Sequence, residues 1–156
     1  MRILFRWTVI IFALDQVTKW LVLSWLDLAN RGEIDVLPPI LNLRMAWNYG
    51  INFGLLQGHS DTARQVLIAV ALGIVAFVLW WAWREKLKPL GMACAGVLIG
   101  GALGNVVDRM VYGAVADFLN MSCCGIENPY AFNVADVAIF AGALGLVFFA
   151  DGKKGS

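Results

Sequence analysis

Residues 90–109, LGMACAGVLIGGALGNVVDR, decide the fold. From Leu90 to Leu103 every side chain is apolar or small, and the run approaches the ~20 residues needed to cross the hydrocarbon of a bilayer. It then closes on Asn105, Asp108 and Arg109, groups that a lipid-facing helix should not carry. A charge near the bilayer centre costs about 2.5–3.5 kcal/mol on insertion scales, so ionisable residues inside a span mark functional sites by default. Gly96, Gly100 and Gly104 recur at four-residue spacing, a small-xxx-small face that lets helix backbones approach closely in lipid. Close packing along that face draws the polar end of the helix towards its neighbours.

The pattern repeats on either side. Spans are predicted at 7–26, 66–83, 90–107 and 134–150; Asp15 and Lys19 sit inside the first, and Asn133 and Asp136 open the last. The predicted fold is an all-α integral membrane protein, a bundle of four transmembrane helices with a small extracytoplasmic β-sheet between the first two. At 156 residues the chain suits one domain, read as a single membrane-embedded unit over 1–156. Its composition, 60 % hydrophobic and 15 % charged, lies far from the soluble balance of roughly half apolar and a quarter charged. Seven Trp and nine Phe fit interfacial anchoring. A net charge of +1 without a Lys/Arg stripe excludes a nucleic-acid partner.

Arg2 and Arg6 ahead of the first run imitate a signal peptide, but Asp15 and Lys19 break its centre and Asp27-Leu28-Ala29 is a poor cleavage site. A retained helix is expected. Basic residues then orient the bundle. Arg2 and Arg6, the short Arg84–Lys88 loop, and Lys153 with Lys154 outweigh the sparse Arg31, Arg44, Arg64 and Arg109 of the two long loops. The positive-inside rule therefore puts both termini and the 84–89 loop in the cytoplasm. Asn105, Asp108, Arg109, Asp117, Asn133 and Asp136 then converge on the outer face. In the outer segment 27–65, Leu41, Leu43, Met45 and Trp47 alternate with Asn42, Arg44 and Ala46, the period-2 pattern of a half-buried strand. Glu33–Val36 is a candidate partner strand, and Asn48-Tyr49-Gly50 a turn.

Asp15 and Lys19 are spaced i,i+4 with the acid first, the favourable order on a helix. Ten Val, Ile, Leu and Phe in the first span gain about 3–6 kcal/mol on insertion, while two unpaired charges would cost about 5–7. Pairing is required, either as mutual neutralisation or with the added task of bracing another carboxylate or the substrate. Asp108 beside Arg109 reads as a helix-end salt bridge. Asn133 suits the N-cap of the last helix. Asp136, a turn inside an apolar run, feels desolvation and the helix dipole in opposite directions. Asn48, placed outside, is a candidate amide donor to a bound peptide. Cys94 reads as a small core side chain. Adjacent Cys123 and Cys124 suit neither a loop-closing disulfide nor a CxxC zinc site, leaving a vicinal disulfide or two free thiols without an assigned role.

Taken in order, Asp15…Lys19, Asn48-x-Gly50-x-x-Phe53-Gly54, Gly100-Gly101-Ala102-Leu103-Gly104-Asn105…Asp108-Arg109…Asp117-Phe118 and Phe132-Asn133-x-Ala135-Asp136 resemble the bacterial lipoprotein signal peptidases, or signal peptidase II, over nearly the whole chain. The resemblance implies an intramembrane aspartic endopeptidase of the bacterial cytoplasmic membrane. By motif position its dyad falls on Asp117 and Asp136, with Asn105, Asp108, Arg109 and Asn133 lining or bracing the site and Asn48 and Gly101 near the substrate. The implied substrate is a diacylglyceryl-modified prolipoprotein, cut before its lipid-bearing Cys, with membrane lipids as neighbours and globomycin-type peptides as inhibitors. No metal or cofactor is expected.

The remaining side chains agree. His59 is the lone His, outside any metal motif, and no His-Glu-x-x-His occurs. Ser24, Ser60, Ser122 and Ser156 lie in no Gly-x-Ser-x-Gly elbow. The rival reading is a small proton- or ion-coupled transporter with Asp15 and Lys19 as gating charges. It requires polar residues through both leaflets, whereas the second span and the inner halves of the third and fourth are almost free of them.

Overall fold

The computed structural model describes residues 1–50, 61–122 and 128–150. Ile51 to Gly54, His59, Ser60, Cys123, Cys124, Lys153 and Lys154 lie outside the described residues. The elements in order are α1 (Arg2–Trp20, prolonged by a π-helical turn Leu21–Trp25), a one-turn α2 (Leu28–Arg31), β1 (Glu33–Leu37), β2 (Leu41–Asn48), α3 (Asp61–Arg84), α4 (Pro89–Val111), β3 (Val115–Met121) and α5 (Val134–Phe149).

Three of these helices, Arg2–Trp25, Asp61–Arg84 and Pro89–Val111, are long and apolar enough to cross a membrane. α5 is shorter, at 16 residues, so among the described residues three spans rather than four meet the length required. Outward-facing Phe5, Val9, Ile10, Val70, Phe77, Phe140 and Val147 are exposed, the surface expected of helices solvated by acyl chains. Leu4, Val75, Val78, Leu98, Ile99 and Leu146 pack together in the interior.

α4 is the central helix, starting with Pro89 at its first turn, where a missing N–H costs nothing. Its glycines serve two neighbours rather than one. On one face a Cβ at Gly96 would meet the Leu4 carbonyl oxygen, and one at Gly100 would lie 2.7 Å from the Thr8 carbonyl oxygen, so α1 packs backbone to backbone. Thr8 Oγ1 donates to the Gly96 carbonyl at 3.2 Å across the same contact. On the other face a Cβ at Gly101 would lie 2.6 Å from the Ala135 carbonyl oxygen of α5.

The sheet is antiparallel with order β1-β2-β3. Glu33 pairs with Arg44 and Asp35 with Asn42, confirming the expected pair of strands between α1 and α3. The third strand comes from the segment between α4 and α5, which was expected to be loop. β3 is buried at Val115, Ala116, Asp117 and Phe118 in succession, so the alternation that would have revealed it is absent. A bulge separates the Leu43↔Leu119 and Ala46↔Asp117 pairings. Val22, Leu28, Leu43 and Phe118 form the small core joining the sheet to the end of α1. Asn120, buried in β3, donates to the carbonyls of Asn128 (2.7 Å) and Tyr130 (2.8 Å) and so fixes the return towards α5.

Gly100→Leu should force α1 from α4 and destabilise the fold by about 1–3 kcal/mol, as overpacking does. Gly73 faces open space on α3, so Gly73→Ala should be neutral or stabilise by up to about 1 kcal/mol through helix propensity. Thermal unfolding of both variants in detergent measures the contrast; equal effects would contradict the packing described.

Candidate active site

Three charges are buried at the sheet end of the bundle. Lys19 Nζ lies 2.8 Å from Asp15 Oδ2 and 2.7 Å from Asp108 Oδ2. Exposure of the three side chains is 3 %, 0 % and 1 %, so water screens none of them. Gln16 Nε2 donates to both carboxylates, to Asp15 Oδ2 at 3.1 Å and Asp108 Oδ1 at 3.3 Å. Asp15 Oδ1 accepts the Ala135 N–H at 2.9 Å, and Asp108 Oδ2 accepts the Ala116 N–H at 3.2 Å. The cluster therefore joins α1, α4, β3 and α5. Asp15 and Lys19 pair with each other, and Lys19 also pairs with a second carboxylate, Asp108.

The expected Asp108–Arg109 salt bridge is replaced by another arrangement. Adjacent residues on a helix point to different sides. Asp108 turns inward to Lys19, while Arg109 Nη1 donates to the Asn105 carbonyl at 3.2 Å. Arg109 Nε is buried without a partner among the described residues.

Asn133 organises the next layer. It caps α5 as expected, its Oδ1 accepting the Asp136 N–H at 2.9 Å, while Asp136 Oδ2 accepts the Asn133 N–H at 3.2 Å in a reciprocal capping box. Its other end reaches β3, where Nδ2 donates to Asp117 Oδ1 at 2.6 Å. One fully buried asparagine thus holds Asp117 through its side chain and Asp136 through its backbone. Asn105 Nδ2 donates to the remaining oxygen, Asp136 Oδ1, at 2.9 Å.

Asn48 engages both ends within the protein: Nδ2 donates to Asp117 Oδ2 at 3.0 Å, and Oδ1 accepts the Gly50 N–H at 3.0 Å. Asn48 also lines the groove, so it supports Asp117 from a position on the groove wall. Gly101 lies in the α4–α5 contact beside Ala135 and Ala138 rather than on an open surface.

Asp117 is 3 % exposed, and its carboxyl is pushed up to about 6. Burial is the main cause and the charge of Asp136 the next; the Asn48 and Asn133 amides and the Lys19 ammonium pull the other way. Asp117 and Arg109 border a groove of about 500 Å³, walled by Trp47, Tyr49, Leu67 and Tyr130. Trp47 packs against Tyr112 with ring centroids 5.6 Å apart. An acidic pair held by amides beside an apolar-walled groove can polarise a water against an extended peptide.

Sequence reasoning missed Gln16, Ala116 and the aromatic groove. Gln16 carried a usable signal, an amide next to Asp15 inside an apolar run. Ala116 carried none, because it acts through its backbone.

Over residues 7–150 the chain matches the family described as Signal peptidase (SPase) II. It is 42 % identical over 145 residues to a lipoprotein signal peptidase of Rhodopseudomonas palustris (strain ATCC BAA-98 / CGA009), covering 90 % of this chain and 86 % of that one. A lipoprotein signal peptidase of Rhizorhabdus wittichii is 41 % identical over 139 residues, covering 88 % of this chain and 79 % of the relative. A bacterial membrane enzyme solved by the in meso method at 2.3 Å resolution is similar with a TM-score of 0.75 at 25 % identity, over 91 % of this chain and 83 % of that chain. A second, at 1.9 Å resolution and 24 % identity, shares the fold with a TM-score of 0.77, over 91 % of this chain and 88 % of the other. By profile and by identity, this chain belongs to the signal peptidase II family.

Proposed function

We propose that this chain is an intramembrane aspartic endopeptidase that removes the signal peptide from diacylglyceryl-modified prolipoproteins, cutting before the lipid-bearing Cys. Asp117 and Asp136 are its catalytic dyad, and residues 1–156 act as one peptidase domain. The observation that carries the reading is Asn133, which bonds both carboxylates, Asp117 at the groove and Asp136 behind it.

In the proposed reaction one ionised carboxylate of the pair takes a proton from a shared water, and the resulting hydroxide attacks the scissile carbonyl. The protonated partner donates to the developing oxyanion and then to the leaving amine. The charge of Asp136 is one cause of the raised Asp117 carboxyl, which favours a pair holding a single proton. Asn105 and Asn48 each hold one oxygen of the dyad, on Asp136 and Asp117 respectively. Arg109, which borders the groove, supplies a donor for a substrate carbonyl. Globomycin-type peptides, which present amide carbonyls to such a groove, are the expected inhibitors.

The arrangement of charge supports a site on the outer face of the bacterial cytoplasmic membrane, with both chain ends inside. Arg2, Arg6, Arg84, Lys86 and Lys88 lie at the ends of α1, α3 and α4 opposite to the dyad. Positive charge marks the cytoplasmic side. Buried polar side chains among the described residues are Asp15, Lys19, Asn105, Asp108, Asp117, Asn120 and Asn133, all towards the sheet end, so no described polar path crosses the bundle for an ion.

Replacing Asp117 or Asp136 by Asn, one at a time, should lower cleavage of a lipid-modified precursor by about 10²-fold to 10⁴-fold, the scale of general acid–base catalysis. Near-normal cleavage by Asp117→Asn would falsify the dyad. Because Asp117 keeps its proton from the ordinary 3.8 up to about 6 and loses it above, kcat/KM should fall as pH rises beyond that value. A rate profile with no descending limb on the alkaline side contradicts this. Each buried CH₂ contributes about 0.8 kcal/mol to membrane partition, so an unlipidated precursor should show a higher KM than the diacylglyceryl form. Equal KM values for the two precursors would show that lipid anchoring does not deliver the scissile bond.

A further inference from the structure

The buried cluster of Asp15, Lys19 and Asp108 has one feature that charge neutralisation leaves unexplained. An ammonium has three N–H donors. Two go to the carboxylates, and Lys19 Nζ also reaches Asn105 Oδ1 at 3.2 Å. That oxygen accepts a second bond, from Asn133 Nδ2 at 3.3 Å. An amide has one accepting and one donating end, so a cation on the oxygen decides that the –NH₂ faces the other way. There it meets Asp136 Oδ1 at 2.9 Å. With the amide turned over, its oxygen would stand against the carboxylate. A charge-assisted bond at one end of the amide also strengthens donation from the other.

We propose that Lys19 is a positioning residue of the dyad: acting through Asn105, its ammonium fixes the donor that holds Asp136, although Lys19 touches neither substrate nor water. The proposal rests on the reading of Asp117 and Asp136 as catalytic. Lys19 would then set the dyad's acid–base behaviour as well as joining α1 to α4. Among the described residues, the charged and titratable groups around the dyad are Asp15 and Lys19 from α1, Asp108 and Arg109 from α4, and Tyr49 and Tyr130 along the groove. Lys19 is linked to Asp136 through a single amide.

The test is Lys19→Met in the purified chain, assayed on a diacylglyceryl-modified precursor. Lys19→Met should lower kcat by about tenfold to a hundredfold, the scale on which outer-shell partners act. KM should stay unchanged, because the lost interaction serves the transition state. The descending limb of the rate profile should move to higher pH, since the ammonium no longer favours the Asp117 carboxylate. Asn105→Leu should give the same loss, and Lys19→Met added to it should cause no further fall in kcat. Lys19→Met/Asp108→Asn leaves only Asp15, with its Gln16 and Ala135 donors, and keeps the test open where the single variant does not fold. An unchanged kcat and rate profile in either folded variant overturns the proposal, as do losses that multiply with that of Asn105→Leu. Asp117→Asn run in parallel separates the two readings. If it cuts normally, the dyad itself is wrong; if it is inactive while the Lys19 variant cuts normally, only the relay is wrong.

Discussion

The whole molecule depends on one ammonium group placed where water cannot reach it. Isolated buried charges cost several kcal/mol each, and a pair repays that cost only when the remaining donors and acceptors are also matched. Lys19 meets that condition with two carboxylates and an amide, and the excess negative charge is met by Gln16 Nε2 and by the backbone N–H groups of Ala116 and Ala135. Since those partners come from four elements, satisfying the cluster assembles the end of the bundle. The same constraint that makes the charges expensive makes their arrangement specific.

Packing and electrostatics act together along α4. Glycine on one face lets α1 approach until Asp15 touches the Gly104 position, and glycine on the other lets α5 approach until Ala135 is in contact with Gly101. Only at these separations can Asp15 accept the Ala135 N–H and Asn105 reach Asp136. Helix contacts in lipid lack a hydrophobic driving force and rely on close approach and interhelical hydrogen bonds. Both are present here in the same few turns. Asp136 inherits its position from helix packing and Asp117 from the sheet.

Asp117 shows how the sheet contributes. β3 is hydrogen-bonded to β2 on one side and bridged to Phe132 on the other, so the backbone that carries Asp117 is held on both sides. Asn48, across the ladder from Val115, then bonds the Asp117 carboxylate from the neighbouring strand. A carboxylate with two amide donors would ordinarily ionise readily; burial and the charge of Asp136 outweigh them. The balance leaves a group that exchanges its proton not far from neutrality, as acid–base work requires.

The sequence alone determined the membrane class, the positions of the helices to within a few residues, and the identities of the acids and of every amide but Gln16 at one end, because hydropathy and helical period are local properties. Tertiary structure decided the partners. Asp108 chose Lys19 over its neighbour Arg109, Asn48 turned to Asp117, Gly101 went to a helix contact, and β3 joined a sheet that its own pattern did not announce. In each case the choice was made by which donor or acceptor lay within reach once the helices had packed. Reach between residues distant in the chain is not written in the spacing of either one.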